Sequence, residues 1–141
     1  MSQTGYDLIR QQGELSYPRE ACGILLGHTI DGCRTVVSTF QAGNTHPEPL
    51  RHYSIDPKQV IAAQKLARNQ GLDIVGFYHS HPDHPAHYSQ TDLAEAHWLD
   101  CSYAIISVEQ GKAAQTRSFV LSGSEDEKAF LQEEIEIVAD W

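Results

Sequence analysis

The residues of this chain with the most chemical promise are two histidines, an aspartate and a glutamate. The histidines lie in the run His79-Ser80-His81-Pro82. Residues i and i+2 of a strand project to the same side, so both imidazoles can reach one ion. Pro82 closes that strand. Eleven positions after His81 comes Asp92, the last residue of Ser89-Gln90-Thr91-Asp92. Two imidazoles and one carboxylate suit a borderline-soft dication such as Zn²⁺. Three protein ligands leave the fourth tetrahedral position for water, the stoichiometry of a catalytic site. Glu20 directly precedes the apolar run Ala21-Cys22-Gly23-Ile24-Leu25-Leu26, a poor place for a surface charge, and it is the acid/base candidate. Each piece also has a plainer reading. Paired histidines recur by chance, and Ser89-x-x-Asp92 is also a helix capping box, with Ser at the cap and a carboxylate three residues on. The capping reading is compatible with ligation, because a residue in the first turn of a helix can face a neighbouring strand end.

Other arrangements in the same chain compete. His79-x-His81-x-Asp83-His84 satisfies the HxHxDH pattern of metallo-β-lactamase-like hydrolases. Those folds are larger and need more ligands downstream, where only His87 and His97 remain, and they leave Glu20 and Asp92 without a role. Cys22 could serve as a nucleophile with a histidine base. Its place in a buried run points instead to packing, and Cys101 reads the same way. His84 and His87 are left unassigned, and His28, His46 and His52 have no evident partner.

The elements that must carry these residues follow from periodicity and punctuation. A short amphipathic helix is expected over Tyr6 to Leu15, then strands at Ala21 to Leu26 and Val36 to Phe40. Residues Gly43 to Leu50 hold two prolines and an asparagine and read as loop. Asp56-Pro57 opens a helix with Val60, Ile61 and Leu66 on one stripe, and Asn69-Gln70-Gly71 closes it. Leu72 to His79 is apolar on both faces, as a central strand should be. A helix at Ser89 to Trp98 and strands at Tyr103 to Val108 and Arg117 to Leu121 follow, with Gly111 between the two strands. Lys128 to Glu133 reads as a short helix and Ile135 to Val138 as a last strand. The class is α/β (α+β), a single mixed sheet flanked by helices, in one domain over residues 1–141.

Composition bounds the functions available. At 141 residues and 15.7 kDa, folding buries about two-thirds of the chain's surface, enough for a core without staples. A net charge of −9 leaves no basic stripe for nucleic acid. Glu125 to Trp141 holds seven of the acids and one lysine, expected as a solvated helix face plus an edge strand. The apolar runs are too short to span a bilayer, and Met1 to Gly5 shows no export signal. Three cysteines without a CxxC pair argue against a disulfide framework, so a cytoplasmic location is expected.

The joint pattern of Glu20, His79-Ser80-His81-Pro82 and Ser89-Gln90-Thr91-Asp92 resembles the JAMM (MPN+) metalloproteases. The likeness extends to Tyr17 through Gly27 and to Arg51-His52-Tyr53-Ser54-Ile55-Asp56-Pro57, and so covers most of the chain. Tyr88 stands where many relatives have proline before the serine. The resemblance implies the JAMM/MPN (cytidine-deaminase-like) core, Zn²⁺ held by His79, His81 and Asp92, Glu20 as general base and then acid, and Ser89 as donor to an oxyanion. It implies hydrolysis after the C-terminal Gly-Gly of a ubiquitin-like or sulfur-carrier protein. The alternative is deconjugation of a bacterial ubiquitin-like modifier. A metal-free scaffold is disfavoured because all five residues are present. No nucleic-acid or membrane partner is expected, and a homodimer is left open.

Overall fold

The computed structural model describes residues 1–140. Six strands form one mixed sheet: β1 (Cys22–Ile30), β2 (Cys33–Ala42), β3 (Asp73–Pro82), β4 (Ser102–Glu109), β5 (Lys112–Gly123) and β6 (Lys128–Glu133). Their spatial order is β2-β1-β3-β4-β5-β6, and only β3 and β4 run parallel. Antiparallel neighbours can close through tight turns, whereas a parallel pair needs a crossover. The β1–β2 hairpin turns at Asp31-Gly32, with φ of 51° and 77°, and β4–β5 turns at Gln110-Gly111, with φ of 49° and 86°. Two successive positive φ values match the right-handed twist of a two-residue hairpin, and the glycine makes them inexpensive. The parallel crossover between β3 and β4 carries α3 (Gln90–Glu95).

Helices cover both faces. On one, α1 (Gln3–Ser16) sets Ile9 against Leu25, Tyr78, Ala104 and Ile106. The Tyr78 hydroxyl donates to Gln12, whose amide donates onward to the Cys22 carbonyl, 3.2 Å. Gly23 must lack a side chain, since a Cβ there would lie 2.2 Å from the Tyr78 ring. On the other face, α2 (Pro57–Asn69) meets the sheet through Ala63 and Ala67, packed with Ile24, Leu26, Phe77 and Tyr103. Asp56 caps it by accepting from Lys58 N–H, as its sequence foretells. The buried stripe differs from the expected one: Ile61 and Leu66 are exposed, because two small alanines let the helix approach more closely.

Three expectations are corrected at the C-terminal end. Residues 128–133 form the edge strand β6 rather than a helix, paired from Gly123↔Lys128 to Ser118↔Glu133 with Phe130 buried in the core. Ile135 to Val138 forms no strand, and only Val138 bridges, to Ser2. The helix expected over Ser89 to Trp98 ends at Glu95, where the Lys128 ammonium donates to the carbonyls of Ala94 and Ala96, 2.8 and 2.7 Å. A cation on the last carbonyls of a helix is a stop signal supplied from a distant strand.

The acidic tail is also not wholly solvated. Arg34 on β2 reaches the Glu133 carboxylate at 2.6 Å and the Ser102 hydroxyl at 2.7 Å, while Ser118 donates to the other Glu133 oxygen at 2.8 Å. One side chain thus ties together strands from the two ends of the sheet. Burial alone would raise the Glu133 pKa, but the bonds from Ser102, Arg34 and Ser118 overcome it and hold the group below its ordinary value. Arg34→Ala should therefore cost about 1.5–3 kcal/mol, the range for hydrogen bonds to charged groups. A folded pKa below the unfolded one gives stability that is present above the unfolded value and fades as pH falls through the folded one. Denaturation of both forms should show their difference shrinking below about pH 4, near the reference carboxyl pKa. A difference constant from pH 7 to pH 2 would contradict this.

Candidate metal centre

Strand β3 is buried from Val75 to Pro82, and its alternation sends Phe77, His79 and His81 to the α2 and α3 face. Ser80 points to the α1 side, where its hydroxyl accepts from Ala21 N–H, 2.7 Å. Both imidazoles thus emerge at the end of the central strand, beside the start of α3. That start is a complete capping box: Ser89 Oγ accepts from Asp92 N–H at 3.0 Å, and Asp92 Oδ2 accepts from Ser89 N–H at 2.9 Å. The same Oδ2 lies 3.1 Å from His81 Nε2 and 3.3 Å from His79 Nε2, and the two nitrogens are 3.0 Å apart. The capping reading of Asp92 is borne out, and the ligand reading is compatible with it, since the oxygen that accepts from Ser89 N–H is the one facing both imidazoles.

Those three separations are close to the edges of a tetrahedron, roughly 3.3 Å, whose vertices sit about 2.0–2.1 Å from a central ion. The donor set fits Zn²⁺ in type as well. His81 Nδ1–H donates to the Pro85 carbonyl at 2.9 Å, which orients Nε2 into the cluster. His79 is held differently: the Tyr53 ring stacks on it with centroids 4.3 Å apart, and its Nδ1 is buried without a partner.

Glu20 sits two residues before β1 and is 5% exposed. Donor atoms of Glu20, His79 and His81 all lie within 4.8 Å of one another. Its Oε1 is buried with no hydrogen-bond partner. Burial, with a further push from Asp92, raises the carboxyl to about 7 despite the opposing charge of His81. Burial lowers the His79 pKa. Burial would lower His81 too, but its contact with Asp92 outweighs this and raises it. Asp92 would rise on burial, yet the two imidazoles hold it well below the usual carboxylate range.

The competing arrangements come apart. Asp83 is exposed at φ 58° and accepts from the Tyr17 hydroxyl at 2.5 Å and from Gln110 N–H at 2.8 Å. His84 is exposed, His87 stacks on Tyr88, and His97 faces Glu125 at the surface. Burial drives the Cys22 thiol up to about 12 and Cys101 up to about 11, so neither is a thiolate near neutrality. Tyr88 secures the loop before Ser89 by packing on Phe119 and Phe130. Sequence reading did not single out Tyr53. Its signals are an aromatic just ahead of the capped helix α2 and its place in the Arg51–Pro57 segment that carries part of the resemblance.

A single mixed sheet with a His-His-Asp cluster at the end of its central strand is thus on view, and comparison with known proteins identifies the family and the fold. The family described as "Prokaryotic homologs of the JAB domain" matches residues 2–122, and the chain belongs to it. Its curated relatives include a desampylase of Haloferax volcanii, 37% identical over 64% of this chain and 63% of that protein. Another is a "Probable TtuB-protein conjugate cleaving protease" of Thermus thermophilus, 37% identical over 57% of this chain and 51% of that protein. The matches span less than two thirds of the length of either relative. A solved structure from Salinibacter ruber is 40% identical, with TM-score 0.73 over 96% of this chain and 90% of that one. A JAB1/MPN domain protein of Archaeoglobus fulgidus shares the fold alone, at 15% identity and TM-score 0.59 over 97% and 96% of the two chains. No described helix is long and apolar enough to cross a membrane.

Proposed function

We propose that this chain is a zinc-dependent peptidase or isopeptidase, acting within one catalytic domain, that hydrolyses the bond after the C-terminal Gly-Gly of a ubiquitin-like or sulfur-carrier protein. One observation carries the reading: three donor atoms 3.0–3.3 Å apart, with an unpartnered buried Glu20 oxygen beside them. The names of the Haloferax and Thermus relatives supply the substrate class.

His79, His81 and Asp92 would hold the ion. When bound, Zn²⁺ supplies Lewis-acid polarisation of the scissile carbonyl and a lowered pKa for attacking water. Glu20 takes one proton from that water as it adds to the carbonyl carbon, then passes it to the leaving amine as the C–N bond breaks. The products are a carboxylate and a free amine. Ser89 Oγ already accepts from Asp92 N–H, so its own O–H remains to donate to the oxyanion, a contact worth about 3–4 kcal/mol in comparable sites.

A centre recessed at the end of a buried strand admits a thin, extended chain. Glycines suit it because no side chain keeps the backbone away. Purified protein should cleave directly after Gly-Gly in the flexible tail of a ubiquitin-like protein, and mass spectrometry should find the product ending at the second glycine. Phenanthroline should block the reaction and iodoacetamide should not. Release of an amino acid or short extension supports carrier processing, and release of a lysine-linked protein supports the deconjugase alternative. Efficient cleavage of a Gly→Val tail would refute the narrow-channel argument.

A further inference from the structure

Between β2 and α2 the chain makes a loop whose hydrogen bonds converge on one amide, Asn44. Its Nδ2 donates to the Glu20 carbonyl at 3.0 Å and to the His52 carbonyl at 2.9 Å. Its Oδ1 accepts from His46 N–H at 3.0 Å and Ser54 N–H at 3.2 Å. All four capacities of the side chain are used, and the flipped amide would set donors against donors. The same loop returns to Glu20 a second time, since Glu20 N–H donates to the Pro49 carbonyl at 2.8 Å. Both backbone groups of Glu20 are therefore held by residues 44–54, although Glu20 lies just outside the β1 ladder. The next amide, Ala21 N–H, is held by Ser80 Oγ, between the two histidines. On its far side, Asn44 holds the carbonyl of His52 and the N–H of Ser54. These flank Tyr53, whose ring packs on His79.

We infer that Asn44 is a positioning residue: through one amide it fixes the backbone of Glu20 and the seat of Tyr53 against His79, and so sets the Glu20 carboxylate relative to the histidine pair. This rests on the proposed role of Glu20 as the proton carrier. The physical need is clear. Glu20 has a carboxylate oxygen with no hydrogen-bond partner and no regular strand at its own position, so beyond packing its backbone bonds must locate it. A base misplaced by about 1 Å can lose about 100-fold in rate, so the backbone must do the locating. Asn44 touches no reacting atom.

The test is a double-mutant cycle on zinc-loaded protein, with a Gly-Gly-extended ubiquitin-like substrate. Asn44→Ala should lower kcat roughly 10- to 100-fold, with KM and zinc content within about twofold of wild type. In a Glu20→Gln background the same substitution should cost less than about threefold, because the group it positions is already disabled. An equal factor in both backgrounds would overturn the proposal. Thr45→Ala removes a loop bond to the Ser54 carbonyl without touching Glu20 and should leave kcat unchanged. A matching loss there would show general loop order at work and also overturn it. Amide hydrogen exchange decides without reference to activity: Asn44→Ala should speed exchange at Glu20 and Ser54 at least about tenfold while Ile24 and Phe77 keep their protection. Unchanged exchange at Glu20 refutes the positioning role. Full activity in Glu20→Gln refutes the functional reading instead and leaves the exchange result to judge Asn44. If Asn44→Ala does not fold, Asn44→Ser, which also loses both donor contacts, takes its place.

Discussion

Glu20→Gln should leave the fold and the zinc content intact while turnover falls at least about 100-fold, the low end for loss of a general acid/base. The substitution is nearly isosteric, so the packing around a residue only 5% exposed is kept. An amide oxygen cannot take a proton from water at any useful pH. The hydrogen bonds that locate residue 20 are made by its backbone, whose N–H donates to the Pro49 carbonyl and whose carbonyl accepts from Asn44, and they survive the exchange, as does the bond from the next amide, Ala21 N–H, to Ser80 Oγ. A neutral side chain also removes a buried carboxyl that burial already pushes to about 7, so stability should not fall. Thermal unfolding, elemental analysis and single-turnover kinetics on one preparation would check all three points. Wild-type turnover in Glu20→Gln would exclude Glu20 as the proton carrier.

Purified wild-type protein should carry close to one Zn²⁺ per chain, and His79→Ala, His81→Ala and Asp92→Asn should each strip it. A three-residue site has no spare ligand, so loss of one leaves a pair that cannot close the tetrahedron. Asn at position 92 is chosen over Ala because the carboxylate also caps α3, and an amide oxygen can still accept from Ser89 N–H. The variant therefore separates ligation from capping. Binding of an ion to the folded form alone is also stability, so the wild type should lose melting temperature on chelation and the three variants should not. His84→Ala is the counter-test, since His84 is exposed and outside the cluster. Stoichiometric zinc in His81→Ala would sink the ligand assignment. An empty site in His84→Ala with a full one in Asp92→Asn would favour the HxHxDH arrangement, despite Asp83 facing Tyr17.

The site was legible because its parts obey local rules. Period two puts His79 and His81 on one face, and Ser89-x-x-Asp92 declares a helix start, so each piece reads from a few neighbouring residues. Asp56-Pro57 declared the start of α2 for the same reason, through a cap and a preset φ. The misreadings fall where a distant partner decides. Lys128 to Glu133 lies in a chain stretch of mixed pattern, and it is a strand because β5 offers an edge. Helix α3 stops at Glu95 because the ammonium of Lys128 reaches its last carbonyls.

By itself, then, the sequence determined the chemical vocabulary of this protein: two imidazoles and a carboxylate of the kinds that can share an ion, a glutamate set before a buried strand, and a net charge of −9. Tertiary structure alone decided which of the competing patterns closes. It turned Asp83 outward to Tyr17 and Gln110, brought Asp92 Oδ2 to 3.1 and 3.3 Å from the two imidazoles, and placed Glu20 beside them across the β1–β3 ladder. It also recruited Asn44 and Tyr53 from the loop between β2 and α2, whose contacts with Glu20 and His79 no local pattern announces. The physical reason is the range of the forces involved. Caps and strand alternation act within a few residues and are written in order along the chain. The pairing of a lone oxygen with nitrogens on another element depends on burial and register, which exist only once the sheet has formed.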